Sequence, residues 1–92
     1  DYAPTGHADT YLFRISASVA VNLTGLAGGV AGRKVTLTNV GANNIILSHD
    51  SASSAAENRL YGANNASVIL RPNGTVEAIY DATSQRWRIF GA

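Results

Sequence analysis

The sequence predicts an all-β fold: one antiparallel β-sandwich or jelly-roll-like domain of seven to eight short strands. Three observations predict it. Apolar and polar residues alternate at a period of two in several short runs. The runs are rich in Val, Ile, Leu, Thr and Tyr, whereas Gly, Asn and Ser fill the gaps between them. The runs recur at a spacing of roughly 8–12 residues, which suits strands joined by turns.

Taken in order, residues 1–9 are polar, contain Pro4 and Gly6, and read as an N-terminal arm, leaving 10–92 for the β-domain. Tyr11, Phe13 and Ile15 alternate with Leu12, Arg14 and Ser16 in a first strand. Val19, Val21 and Leu23 continue it or form a second. Gly25 to Gly32 is a loop, and Lys34 to Val40 is the clearest strand, with Val35, Leu37 and Asn39 on one face. Gly41-Ala42-Asn43 predicts a hairpin turn into a returning strand at Asn44 to His49. Between Asp50 and Asn58, Ser54 and Glu57 have capping-box spacing, enough for one helical turn. Leu60-Tyr61 is a short strand and Gly62 to Asn65 a turn. Pro72-Asn73-Gly74 then separates a strand at 66–71 from one at 75–80, where Val76, Ala78 and Tyr80 share a face. A last turn at Asp81 to Gln85 leads into Arg86 to Phe90, with Trp87 and Ile89 inward and the Trp87 indole N–H in need of a partner.

Composition narrows the function. A formal net charge of +1, without a basic run, argues against binding nucleic acid by phosphate neutralisation. No stretch approaches the roughly 20 apolar residues of a membrane-spanning helix, so membrane insertion is not expected. With no cysteine, neither disulfides nor thiolate metal sites can form, and oligomerisation is the remaining aid to a 92-residue core. Charged residues make up 14% of the chain against about 25% in an ordinary domain, which fits a surface covered in an assembly.

No pattern of catalytic residues emerges. The glycines at 25, 28, 29 and 32 lack the Gly-Lys-Ser/Thr of a phosphate loop and precede no helix, so they predict a structural loop. His49-Asp50-Ser51 holds three triad residue types, but neighbours on a strand point to opposite faces, and a triad needs side chains converging from separate elements. His49 is expected to hydrogen-bond locally. His7 and His49 alone make no metal site short of a threefold axis. The six carboxylates are scattered, and the three Asn-x-Ser/Thr sequons are what an Asn-rich chain produces by chance. No enzyme activity, cofactor or metal is expected.

From Gly25 onward the chain resembles a β-domain that recurs at the C-termini of tail-fibre and other virion structural proteins of tailed bacteriophages. The residues that carry the resemblance are Gly25-Leu26-Ala27-Gly28-Gly29, Gly32 to Gly41, Asn44 to His49, Glu57-Asn58-Arg59 and the closing run Tyr80 to Arg88. The resemblance implies a non-catalytic virion module, in a tail fibre, head fibre or capsid decoration. Its expected partners are other virion proteins, copies of itself (a trimer is favoured) and a host-surface glycan, and a receptor- or carbohydrate-binding tip is the alternative. The candidate subunit or ligand contacts are Tyr11, Phe13, Arg59, Tyr61, Arg86 and Arg88. One of the last three arginines is expected to pair with Asp81 or Glu57. The apolar face of Tyr11 to Leu23 is the candidate subunit contact, so deleting residues 1–23 is expected to dissociate the assembly.

Overall fold

The computed structural model describes residues 2–3 and 11–91. The alternating runs become eight strands: β1 (Leu12–Ile15), β2 (Val21–Leu23), β3 (Lys34–Asn39), β4 (Ile45–Leu47), β5 (Leu60–Tyr61), β6 (Val68–Leu70), β7 (Thr75–Asp81) and β8 (Arg86–Phe90). They form a five-stranded sheet, ordered β1-β3-β7-β8-β5, and a three-stranded sheet, ordered β2-β4-β6. The fold is therefore all-β and sandwich-like. Between the sheets lies one core, built from Phe13 and Ile15 on β1, Val35 and Leu37 on β3, Ile45 and Leu47 on β4, Val76, Ala78 and Tyr80 on β7, and Trp87 and Ile89 on β8. The faces inferred for β3, β7 and β8 are the faces observed.

The path of the chain is less regular than its alternation. Every connection from β1 to β7 passes from one sheet to the other, and only β7 and β8 are joined as a hairpin, in register from Asp81 opposite Arg86. The hairpin expected at Gly41-Ala42-Asn43 does not form. β3 and β4 lie in different sheets, and the turn between them is a corner around Asn39, whose side chain is fully buried. Asn39 donates from Nδ2 to the carbonyls of Asn43 (2.7 Å) and Leu70 (2.9 Å), and its Oδ1 accepts the Gly41 N–H. A side chain that saturates the corner's own backbone groups replaces the ladder a hairpin would have supplied. Pro72-Asn73-Gly74 likewise joins strands of different sheets, with Asn73 at φ 63°.

Crossing at each step makes three pairings parallel: β1 with β3, β2 with β4 and β5 with β8. The first half of the chain winds as a coil in which residue i lies beside residue i + 24. Tyr2 pairs with Leu26, Leu12 with Thr36, and Val21 with Ile45. The coil leaves β1 and β2 at the edges of their sheets.

One local expectation is corrected. Ser54 does not cap a helix: the helical turn is a 3-10 turn at Ala56–Asn58 without a side-chain cap, and Ser54 is buried with its Oγ 2.7 Å from Thr24 Oγ1. Most of the expected arm lies outside the described residues, but Tyr2 is docked. Its N–H donates to Gly25 O, its carbonyl accepts from Ala27 N–H, and its ring meets Phe13 edge-on at 5.7 Å. Deletion of residues 1–23 would remove Phe13 and Ile15 from the core, so it would unfold the domain rather than merely separate subunits.

Candidate functional site

Alternation along β8 sends Trp87 and Ile89 into the core and leaves Arg86, Arg88 and Phe90 on the outer face. On β5 the same rule buries Leu60 and turns Tyr61 outward. The parallel register sets Tyr61 beside Arg88, whose neighbour on the other side is Ile79 of β7. The Tyr61 ring therefore gathers charge. The guanidinium carbons of Arg86 and Arg88 each lie 5.3 Å from its centroid, within cation–π range, and the His49 imidazole stacks on it at 5.2 Å and 25°.

Two carboxylates hold the arginines. Asp50 Oδ1 accepts from Arg86 Nε at 3.0 Å and lies 3.7 Å from Arg59 Nη1. Asp81 Oδ2 accepts from Arg88 Nε at 2.9 Å. The Arg88 guanidinium, followed by the Ser84 hydroxyl and the backbone N–H groups of Thr83 and Ser84, holds the Asp81 carboxyl below its usual range. Arg86 Nη1 also donates to the carbonyls of Ser84 and Gln85, and Arg59 Nε to that of Ser54. His49 Nδ1 accepts the Gly62 N–H at 3.1 Å, which makes Nε2 the proton-bearing nitrogen of the neutral ring.

Of the six contact candidates, Arg59, Tyr61, Arg86 and Arg88 converge here. Tyr11 and Phe13 do not: they sit at the opposite edge of the same sheet, where Phe13 is 5% exposed and belongs to the core. Tyr11 stays exposed and stacks with Arg33 at 5.6 Å beside an open hollow of about 640 Å³ lined by Gly28 to Lys34. The expected Asp81 pairing is present, through Arg88. Glu57 forms no ion pair among the described residues, and Asp50 is the partner of the other two arginines. The hydrogen bonds expected of His49 are not local: its ring accepts from Gly62 and its main-chain N–H donates to Ser67 Oγ, 13 and 18 residues on, and the sequence did not point to Asp50. The nearest signal was Asp50 beside a strand end, an Asx position that here takes a φ of 43°.

The other motifs are absorbed by the fold. In the glycine-rich loop Gly28 and Gly32 adopt positive φ, Gly28 O accepts from Arg33 Nη1, and a Cβ on Gly29 would collide with the Tyr80 ring. His49, Asp50 and Ser51 serve three separate purposes, since the Ser51 hydroxyl accepts from the Ser53 N–H. His7 lies outside the described residues. Among the described residues no group of three or more His, Asp or Glu side chains is placed to hold a metal ion.

Compared with protein-family models, with curated proteins and with solved structures, the chain finds no match. Chemically, the cluster can do two things. It ties β5, β8 and the Asp50 loop together, and it presents a guanidinium surface on an aromatic support.

Proposed function

We propose that the chain is a non-catalytic structural module of a tailed-bacteriophage virion, in a tail fibre, head fibre or capsid decoration. It serves assembly or attachment and works as a homo-oligomer, with a trimer favoured. The observation that carries this reading is the edge of the N-terminal coil, beside which no further strand lies among the described residues. β1 and β2 are both edge strands, Arg14 is the one charged residue between Tyr11 and Leu23, and Tyr11, Leu12, Val19 and Val21 are exposed. Val40, whose N–H donates to Ile15 O, is exposed as well. The carbonyls of Tyr11 and Ile15 accept from Thr36 and Val40, so alternation turns the backbone groups of Leu12 and Arg14 outward. On β2, Val21 and Leu23 bond toward β4, and Asn22 faces out. Apolar edges of this kind are templates for another chain and are covered when a protein assembles.

The residues behind the resemblance to virion domains support the same reading. Trp87, Tyr80, Asn39 and Asp81 engage the protein's own backbone or its own arginines, as fold-determining residues do. Hydrogen exchange on the intact chain tests the proposal. The amides of Leu12, Arg14 and Asn22 gain protection as concentration rises; exchange independent of concentration at all three refutes assembly through this edge.

The second reading, a receptor- or carbohydrate-binding tip, is favoured by one observation: Arg88, half exposed, and the largely buried Arg86 both lie on Tyr61 at the far edge of the five-stranded sheet.

A further inference from the structure

We propose that the surface around Tyr61 binds a carboxylated saccharide, with Arg88 as the residue that takes the carboxylate. The inference rests on the attachment side of the function proposed above and gives it a site and a ligand class.

The Arg88 side chain is 51% exposed, and its only hydrogen bond among the described residues runs from Nε to Asp81. Nη1 and Nη2 make no hydrogen bond to a described residue. The Asp81 bond and the Tyr61 ring fix the plane of the guanidinium before any ligand arrives. A planar fork with both terminal nitrogens open matches the two oxygens of a carboxylate, and its fixed geometry lowers the entropy lost on binding.

The rest of the cluster suits the hydroxyls of a sugar ring. Both arginines that reach Asp50 do so at Oδ1, so Oδ2 remains an acceptor on a side chain that is 36% exposed. His49 Nε2 is a donor, because Nδ1 is occupied by Gly62. Fork, acceptor and donor thus surround one aromatic ring, the mixture that a polyhydroxylated acid requires. Charge selects in the same direction. Arg59, Arg86 and Arg88 against Asp50 and Asp81 leave one uncompensated positive charge, the complement of one carboxylate. A neutral sugar would leave the fork unmatched, and a nucleic acid would need a far more basic surface than this chain has.

The test is a titration of the intact ¹⁵N-labelled chain with sialyllactose, with a glucuronic-acid disaccharide and with lactose, followed by amide shifts. At least one acidic sugar is expected to produce saturable shifts confined to residues 49–50, 61–62 and 86–88, and lactose none. Arg88→Lys keeps the charge and removes the fork, and is expected to weaken binding by about tenfold. Arg14→Gln, at the opposite edge of the sheet, is expected to leave it unchanged. Thermal melts establish that both variants are folded. Absence of saturable shifts with both acidic sugars, equal shifts with lactose, or unaltered affinity in Arg88→Lys overturns the site. Each of these leaves assembly through β1 and β2 intact, because exchange protection at that edge is read separately.

Discussion

The indole N–H of Trp87 donates to the main-chain carbonyl of Leu26 at 2.9 Å, across 61 residues of sequence, in the buried interior. This bond joins the closing hairpin to the loop that ends the first turn of the coil. Tyr80 meets the same indole edge-on at 5.2 Å, and its hydroxyl donates to the carbonyl of Glu57. Trp87→Phe keeps an aromatic ring but leaves the Leu26 carbonyl buried without its donor. We expect a loss of about 1–3 kcal/mol from the missing bond, with more from the smaller ring. Urea unfolding measures it. A loss below half of one kilocalorie would mean that water or another donor takes over.

Asn39 is the second place where one side chain holds the two sheets together. It replaces backbone pairing at the corner between β3 and β4 and also reaches Leu70 on β6. Asn39→Leu fits the space but strands the buried Leu70 carbonyl, at a cost of about 1–3 kcal/mol, and leaves the part-buried Asn43 carbonyl and Gly41 N–H to partial solvation. The variant is expected to lose at least that much and to expose the 41–44 amides to hydrogen exchange before the rest of the domain. Uniform exchange in the variant would contradict the corner's local role.

Asp81 gives a pH signature with a definite sign. Its folded-state pKa lies below the ordinary 3.8, chiefly because of Arg88. The carboxylate's contribution is therefore complete above about pH 3.8 and disappears as pH falls through the lower folded value. Asp81→Asn retains an acceptor for the Thr83 N–H but lacks the charge. The gap in stability between wild type and variant is expected to be largest near neutral pH, to close under acid and to shrink in high salt, as for any exposed pair. A gap that stays constant with pH would show that the turn geometry, rather than the charge, is what Asp81 contributes.

These contacts also explain what could be read from the sequence. Alternation identifies which residues face inward on β3, β7 and β8, because that depends only on the pleat and on a wet outer face. It also placed Trp87 in the core and the turn after Asp81. It could not assign strands to sheets. Gly41-Ala42-Asn43 between two apolar runs looks the same whether the chain returns beside itself or crosses over, and the deciding group, the amide of Asn39, lies on the preceding strand. The coil was invisible because residues 24 apart share no pattern: Ile15 lies beside Asn39, and Asn22 beside Ile46. At the site, the arginines and Tyr61 were legible as polar and aromatic residues at strand positions. Asp50 was not, because the pairing that gives it a role spans 36 residues.

The proposed function rests on self-association through the rim of β1 and β2. Light scattering after size exclusion, on wild type and on the double variant Leu12→Lys, Val19→Lys, tests it most directly. Both side chains are more than half exposed, so the fold should tolerate the change. The wild type is expected at three times the chain's 9.6 kDa and the variant as a folded monomer. A wild-type chain that stays at 9.6 kDa at every concentration, or a variant that keeps the wild-type mass, would contradict it.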